Sequence, residues 1–486
     1  MKMYNSIKLK ATYILLITLL ISCKKDFIEI VPKGNLIAST ADDYQLLLNN
    51  NTFYNYGIQS GWHIPMLLGD ELAAEGLYFN STQPIVRRSF KWEPVIYDPL
   101  VIGGDLREFL RNLYTCNSII NEVMGAEGNV PQKKSVYAQA LVTRAWIYFQ
   151  LINFYGKPYD AATAAQDPGF PLIIKDDINQ NSFDRSTVKA VYDFIVKDLV
   201  TAIPDLPIQN GVRTRVSKAA GEGLLGKVYL FMGKNTDALT QLNAAMSTIA
   251  SQTNGPRLYD YNIELAPGGS FLPIGNLGPA GPLTNINDYT ESVLFKTFPN
   301  FNSASYGNIG MVIKPEVAAL FGASDLRLKF YTNRNPNGSV NPGGRLRKYV
   351  RYSRFGLELP DVYMLLAECR AKLNDLPGAV AILEAFRKHR MPVIDSTVPS
   401  PISTNRSALL RFIFDERIRE YAEEGYRWFD MRRQSVDPDF AGQVFTHRVY
   451  AVDGATETFT LDQPNRLVLR IPQPIIDANS GMPNNP

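Results

Sequence analysis

The 486-residue chain is poor in the two residue types that most often carry disulfide, metal or nucleophilic chemistry, with three cysteines and three histidines. So few cysteines exclude a disulfide-stabilised scaffold, which needs several paired cysteines in a short chain. The histidines, His63, His389 and His447, lie far apart in sequence. They leave little material for a histidine-based metal or catalytic site, and we expect no metal and no cofactor.

An excess of charge of one sign is also absent. Fifty Lys and Arg against 47 Asp and Glu give a net charge of +3, and Lys2, Lys8 and Lys10 account for it (3 − 3 = 0 without them). A chain cleaved after residue 22 would therefore be neutral. Neutrality removes the global electrostatic argument for nucleic-acid binding. The 45% hydrophobic and 20% charged residues instead indicate a packed globular protein.

The N-terminus has a lysine-rich leader followed by the apolar residues 11–22. This stretch is shorter than the ~20 residues that span a bilayer as a helix, but it fits the apolar part of a secretory signal. Ser22 and Cys23 close it, and the arrangement resembles the lipobox of bacterial lipoproteins, whose cysteine becomes a lipidated N-terminus. We therefore expect a signal peptide over residues 1–22 and lipidation of Cys23. The alternative is an ordinary signal peptide cleaved elsewhere, with Cys23 incidental.

The spacing of apolar residues predicts a mainly α-helical protein. Four of the predicted helices form two pairs joined by short polar turns, over 217–250 and 358–390, and these pairs resemble the tetratricopeptide helix–turn–helix unit. Small residues at the start of each second helix let the two helices approach closely. The predicted helices cover residues 104–124, 136–155, 187–203, 217–232, 236–250, 358–373, 376–390 and 406–424.

Two segments interrupt this helical pattern, residues 51–103 and 251–357. The second is crowded with Pro, Gly, Asn and Tyr, a composition that breaks helices and builds ordered loops with short strands. Loop regions of this length in a compact protein are usually functional. We therefore predict a scaffold of tetratricopeptide-like helix pairs that carries two loop-rich elaborations and a few short β-strands.

A glycine-rich run at Gly221, Gly223 and Gly226 fits the G-x-G-x-x-G pattern of nucleotide-binding loops. That pattern binds phosphate only where a strand precedes the glycines and a helix follows them. Here residues 215–220 already open a helix, and Val228 stands where a P-loop needs a hydroxyl. The sequence therefore favours small residues on a packed helix face over a nucleotide site.

Three carboxylates, Glu416, Glu420 and Glu424, lie four residues apart on one helical face. Such a set could bind a metal or supply acid–base pairs. Arginines are interleaved with them, however, and Arg411–Asp415 and Asp415–Arg419 have salt-bridging spacing. A charged face with ion pairs is therefore the better prediction.

No recognisable catalytic set remains after these candidates. The chain has no G-x-S-x-G, H-E-x-x-H or C-x-x-C motif. Cys116 and Cys369 each lie in line with apolar residues at helical spacing, which predicts buried thiols that behave as small hydrophobic groups. We therefore expect a protein that is not an enzyme.

The most specific stretch is DERIREYAEEGYRWFDMRR, at 415–433. It is similar to the E-R-R-R-E-L-A-F-E-G-H-R-W-F-D-L-R-R signature of the SusD/RagB family, with Tyr426 in place of the usual histidine. Residues 138–156 resemble the A-E-A-x-F-L-R-A-x-x-Y-F-x-L-V-x-x-Y-G helix of that family, and 470–486 resemble its C-terminal ending. Within 415–433 we predict a helix that ends at Gly425, packed aromatic residues, and carboxylate partners for Arg432 and Arg433.

The resemblance implies a lipid-anchored protein on the external face of the outer membrane. In that family the protein forms a lid on a TonB-dependent, SusC-like transporter and binds an oligosaccharide in most cases and a peptide in others. It also implies one interleaved fold with an N-terminal region over 23–250 and a C-terminal region over 251–486. Two other classes stay open: a lipid-anchored hydrolase, and a tetratricopeptide adaptor that binds only another protein.

A sugar site needs flat aromatic faces beside amides, carboxylates or arginines, because sugar rings have apolar faces and polar edges. Both loop-rich elaborations have this mixture, and Trp92 is the leading candidate because the family often places a stacking tryptophan in this region. Trp62 could take that role instead, or Trp92 could be a core residue that anchors a turn. The predicted ligand-binding residues are Tyr78, Arg87, Trp92, Tyr97, Tyr289 and Tyr306, with Phe301 nearby.

Overall fold

The computed structural model describes residues 38–57, 62–177, 180, 182–282, 288–300, 310–334, 338–350 and 352–486. These residues contain 17 α-helices and ten short strands. The helices are α1 Ala41–Leu47, α2 His63–Leu68, α3 Gly76–Phe79, α4 Pro84–Phe90, α5 Gly104–Glu122, α6 Val130–Tyr155, α7 Val188–Ala202, α8 Lys218–Phe231, α9 Asn235–Ser251, α10 Tyr261–Glu264, α11 Pro315–Ala318, α12 Leu359–Lys372, α13 Leu376–Arg387, α14 Ser400–Ser403, α15 Arg406–Tyr421, α16 Tyr426–Ser435 and α17 Gln473–Ala478. The strands are β1 Leu72–Glu75, β2 Ser292–Leu294, β3 Thr297–Pro299, β4 Met311–Ile313, β5 Tyr331–Thr332, β6 Arg347–Lys348, β7 Tyr352–Arg354, β8 Leu357–Glu358, β9 Thr446–Tyr450 and β10 Thr456–Thr460.

All eight helices that the apolar spacing predicts are present, as α5 to α9, α12, α13 and α15. Their starts follow local capping chemistry. The side chain of Asn129 accepts a hydrogen bond from the amide of Gln132 at 2.8 Å, and Asp375 accepts one from Gly378 at 3.0 Å. Each cap satisfies an amide that has no partner inside the helix. The mainly α-helical fold class is therefore confirmed.

The glycine-rich run lies on a packed helix face, as predicted. Residues 206–217 form turns and no strand, and α8 begins directly after Ser217. A Cβ atom at Gly226 would lie 2.6 Å from Cγ of Leu242 on α9, and one at Gly223 would lie 2.6 Å from a methyl group of Leu357. The missing side chains therefore let α8 approach its neighbours, and the backbone has no phosphate-binding turn here.

The two loop-rich segments meet in the largest sheet, which has the strand order β10–β9–β1–β4. β1 comes from the first segment and β4 from the second, and they pair antiparallel with Ala73 opposite Val312. On its other side β1 pairs parallel to β9, with Ala73 opposite Arg448. Three further sheets have two strands each: β2–β8, β3–β7 and β5–β6. The short β-strands that the sequence predicts therefore pair segments that lie far apart in the chain.

The largest hydrophobic cluster draws on both halves of the chain, from Phe53 to Ile471. Trp146 and Trp428 are buried within it, as are Cys116 and Cys369, both of which are 0% exposed. The predicted boundary between an N-terminal region, 23–250, and a C-terminal region, 251–486, stays a prediction.

The segment 415–433 differs from its prediction in two details. Helix α15 ends at Tyr421, not at Gly425, and Gly425 has a φ of +90° and precedes α16. Arg433 meets the carboxylates of Glu368 and Asp430, as expected. Arg432 does not: its guanidinium donates to main-chain carbonyls, that of Gly156 at 2.6 Å and that of Leu467. The carbonyl of Gly156 lies at the end of α6, where unpaired carbonyls need donors.

A buried ion network includes Glu416 and Glu420 of α15 and Glu424 just after its end, whereas the sequence predicted a charged face with local pairs. The predicted pairs of Asp415 with Arg411 and Arg419 are not formed in the described part of the chain. Arg419 instead binds Glu416 at 2.6 Å, and the remaining partners come from other elements. Glu416 also binds Arg327 and Arg387, Glu420 binds Arg327 and Arg390, and Glu424 binds Lys348.

Candidate functional site

A surface groove of about 610 Å³ lies in the first loop-rich segment, between α2, α4, the loop 94–103 and the first turns of α5. Its volume falls within the ~300–1,000 Å³ that small-ligand sites occupy. The apolar part of its lining consists of Ile64, Leu67, Ile85, Val86, Val101 and Ile102. The groove therefore offers an apolar surface of the size that a short oligomer needs.

The polar part of the lining comes from the edges of the same elements. Gln83 precedes α4, which starts with Pro84, and Asn55 lies on the segment 52–57 that forms the opposite wall. Both amides are exposed, and neither makes a side-chain hydrogen bond to any residue that the structure describes. They are therefore available to a ligand as both donors and acceptors.

Charged side chains stand along the loop 94–103 and α5. Arg88 binds Asp98 at 2.7 Å, and Arg111 forms an ion pair with Glu108. Arg107 lies one residue before Glu108 and is exposed. Asp98, Arg107, Glu108 and Arg111 all line the groove.

A buried lysine ties the wall 52–57 to the core. The ammonium of Lys296 donates to the carbonyl of Phe53 and lies 4.8 Å from the centre of the Trp146 ring. Burial without a carboxylate partner lowers the pKa of Lys296 to about 7. Two further bonds fix the wall: the amide of Tyr56 donates to Thr297 and that of Thr297 donates to Tyr54, each at 2.8 Å. The wall is thus anchored on β3.

Of the predicted ligand-binding residues that the structure describes, Tyr97 lines the groove and the others lie elsewhere. Tyr78 is half-buried, and Arg87 donates to the carbonyls of Asn80 and Thr82, so it holds the turn before α4. The ring of Tyr289 packs edge-on against Phe295, 4.6 Å between ring centres. The predicted positions Cys23, Phe301 and Tyr306 lie outside the described residues.

The two tryptophans of the first elaboration are buried, each 4% exposed. Trp92 donates from its indole nitrogen to the carbonyl of Leu68 at 3.1 Å and stacks on His447, 3.9 Å between ring centres. Trp62 stacks on Phe355 at 4.0 Å. Neither ring offers a free face to a ligand in this conformation, which favours the alternative that Trp92 is a core residue that anchors a turn.

Sequence reasoning missed the polar residues of the groove, namely Asn55, Gln83, Asp98, Arg107, Glu108 and Arg111. Aromatic residues were favoured because sugar sites use them, yet aromatics are shared by cores and binding surfaces. A local signal existed. Gln83 stands directly before a proline that starts a helix, and three charges fall at i, i+1 and i+4 in the first turns of α5, next to a loop.

Two family models match this chain. One, described as "Starch-binding associating with outer membrane", matches residues 107–230, and that of the SusD family matches residues 328–486. A curated SusD-like protein from Formosa agariphila is 22% identical to the chain, over 99% of each. The chain belongs to the SusD family.

Solved structures agree on the fold of this SusD-family protein. A SusD superfamily protein from Bacteroides vulgatus aligns with a TM-score of 0.71 at 19% identity, covering 92% of this chain and 99% of the other. A structure described as a laminarin-binding SusD-like protein aligns with a TM-score of 0.66 at 18% identity, covering 92% of this chain and 100% of the other. At such identities the likeness establishes the fold.

Acidic groups with shifted pKa values occur away from the groove. Burial raises the pKa of Glu358 to about 8, although its carboxylate accepts hydrogen bonds from Ser292 at 2.8 and 2.9 Å. Glu358 lines a cavity of about 50 Å³, which has room for a few water molecules and none for a sugar ring. Burial beside Asp70 also raises the pKa of Glu71 to about 8. Both carboxyls are buried, and neither lines the groove of this SusD-family protein.

The described residues show neither a cluster of three or more His, Cys, Asp or Glu side chains that could hold a metal ion, nor a helix long and apolar enough to cross a membrane.

Proposed function

We propose that this protein is a surface lipoprotein that binds an oligosaccharide in the groove and passes it to a TonB-dependent, SusC-like transporter, without catalysing a reaction. The observation that carries the proposal is the groove itself, with an apolar lining and the side-chain amides of Asn55 and Gln83, which make no hydrogen bond among the described residues. Membership of the SusD family and the laminarin-binding description of one relative support a glycan as the ligand.

The chemistry of a sugar fits this lining. A pyranose ring has apolar C–H faces, which can lie on side chains such as Ile85, Val101 and Ile102, and hydroxyl edges, which need donors and acceptors. Amide side chains supply both at once. Because Asn55 and Gln83 make no side-chain bonds within the described part of the chain, no internal bond must break when a ligand arrives.

Removing the amides should weaken glycan binding. We expect Asn55→Ala and Gln83→Ala each to lower affinity severalfold, since one hydrogen bond is worth about 0.5–1.5 kcal/mol. Titration calorimetry against panels of oligosaccharides and peptides measures this. The control is Asn243→Ala, which removes an exposed amide from α9. Unchanged affinity in both groove variants would show that the ligand binds at another site. Binding of peptides alone would favour the peptide-binding alternative, and turnover of a saccharide would favour the hydrolase.

Anchor and partner can be tested together in native membranes. The wild-type chain should be recovered from the membrane fraction in mild detergent with a large β-barrel protein, because a stable complex buries well above ~2,000 Å². Cys23→Ala should appear in the soluble fraction, since lipid chains contribute ~0.8 kcal/mol for each buried CH₂. Membrane retention of Cys23→Ala without attached lipid would contradict the anchor. Recovery of the wild-type chain with no barrel protein would contradict the partner.

A further inference from the structure

The groove is lined by two acidic and two basic side chains, and Arg88, which lies just outside the lining, adds a third arginine. Asp98 is neutralised by Arg88 at 2.7 Å, and Glu108 by Arg111. Arg107 is exposed and forms neither an ion pair nor a side-chain hydrogen bond with any residue that the structure describes. Among the described lining side chains, the one uncompensated charge is therefore a positive one.

The hydrogen-bonding capacity of the groove is biased in the same direction. A carboxylate is the strongest acceptor that a protein can offer to a sugar hydroxyl, and one oxygen of each carboxylate here already binds an arginine. The guanidinium of Arg107 adds five N–H donors and no acceptor. The guanidinium of Arg107, which has no ion-pair partner among the described residues, therefore suits a ligand that brings acceptor oxygens with negative charge.

We propose that the groove selects acidic glycans, and that Arg107 binds the anionic substituent of the sugar. This inference rests on the proposed function of the same groove. Two substituents share the required chemistry, the carboxylate of a uronic acid and a sulfate ester, and the planar guanidinium can bind either through two parallel N–H···O bonds. The apolar lining and the amides of Asn55 and Gln83 hold the rest of the sugar, whatever its charge.

The expected selectivity follows from the position of Arg107. A charge-assisted hydrogen bond is stronger than a neutral one, and exposure weakens it, so we expect acidic oligomers to bind about tenfold more tightly than neutral ones. Because the guanidinium is exposed, salt will screen the interaction. The Debye length falls from about 30 Å at 0.01 M to about 3 Å at 1 M ionic strength. The preference should therefore shrink at high salt, while binding of neutral oligomers stays nearly constant.

The test compares three probes of similar length: a hexamer of galacturonic acid, a sulfated galactose hexamer and an uncharged glucose hexamer. Titration calorimetry at low and high salt gives the affinities of the wild-type chain, Arg107→Gln and Arg107→Lys. The matched control is Lys388→Gln, which removes an exposed positive charge at the end of α13, outside the groove. The two acidic probes separate a carboxylate from a sulfate as the preferred group.

We expect the wild-type chain and Lys388→Gln to prefer at least one acidic hexamer about tenfold at low salt. Arg107→Gln should lose that preference and still bind the neutral hexamer as the wild type does, and Arg107→Lys should keep part of it. A wild-type chain that binds the neutral hexamer at least as tightly as both acidic ones overturns the inference alone. Equal preference in Arg107→Gln and wild type also overturns it. Binding of none of the three probes overturns the inference and the proposed function together.

Discussion

Glu416→Gln is expected to lower the free energy of unfolding by about 3–5 kcal/mol, the cost of removing one partner from a buried charge network. The Glu416 side chain is fully buried, and its two oxygens bind the guanidinium groups of Arg327, Arg387 and Arg419. The arginines are themselves at most 7% exposed. A neutral amide would remove the one carboxylate that forms ion pairs with Arg387 and Arg419 in the described part of the chain, whereas Arg327 would keep Asp325 and Glu420. Urea-induced unfolding followed by circular dichroism measures the loss.

The loss should depend on pH in a defined direction. The three guanidinium groups hold the pKa of Glu416 well below its usual range. A carboxyl group whose pKa is lower in the folded state contributes stability at pH values above its unfolded pKa and loses that contribution as the pH falls. The difference in unfolding free energy between wild type and Glu416→Gln should therefore be largest at and above pH 5 and should narrow toward pH 2.

Glu457→Gln serves as the control for this experiment. Glu457 is exposed on β10, so its change should alter the free energy of unfolding by less than about 0.5 kcal/mol at any pH. A Glu416→Gln protein as stable as the wild type at pH 7 would show that the network is held by main-chain contacts and not by this carboxylate.

Trp92→Ala should be comparably destabilising, at about 3–5 kcal/mol, because it removes a large buried ring. The ring stacks on His447 at 3.9 Å and donates to Leu68, and the Trp92 backbone has a φ of +52°, a conformation that non-glycine residues adopt at a cost. The packing of the Trp92 ring keeps its backbone in this conformation. Truncation to alanine therefore removes the packing energy that offsets the backbone strain. Thermal and urea unfolding measure the effect.

The same variant decides between the two roles of Trp92. If Trp92 is core, the folded fraction of Trp92→Ala should still bind the oligosaccharide with wild-type affinity at low temperature. Trp92→Phe, which keeps a ring but loses the indole N–H, should lose only part of the stability. A stable Trp92→Ala protein that no longer binds glycan would instead assign the tryptophan to the ligand.

The sequence predicted the helices well because the signals for a helix are local. Apolar spacing at i, i+3 and i+4 and capping residues such as Asn129 and Ser217 act within a few residues, and the structure places helices where they occur. Some boundaries differ: α6 begins at Val130 and not at residue 136, and α15 ends earlier than predicted. Lys348 donates its amide to the carboxylate of Glu423 at 2.8 Å, and Asn300 donates to the Glu423 carbonyl at 2.7 Å, so partners far along the chain end this helix before Gly425.

The binding site was less predictable because it depends on contacts between residues that are far apart in the chain. An aromatic residue in a loop can be a core anchor or a binding surface, and composition does not distinguish the two. Trp62 and Trp92 became buried because residues more than 300 positions later, Phe429 and His447, pack against them. Tyr97 lines the groove, but which charged residues are neutralised depends on pairs such as Arg88–Asp98 that only folding brings together.

The amino-acid sequence by itself determined the helical scaffold, the small-residue contact of α8 with α9, the burial of the two core cysteines and the family. These features depend on periodicity, residue size and a continuous motif, all of which are written in consecutive residues. The tertiary structure alone decided which partners the buried carboxylates of α15 bind, where the groove lies and which of its charges stays free. Those outcomes depend on contacts between residues up to hundreds of positions apart, and their strength comes from the exclusion of water in the folded protein.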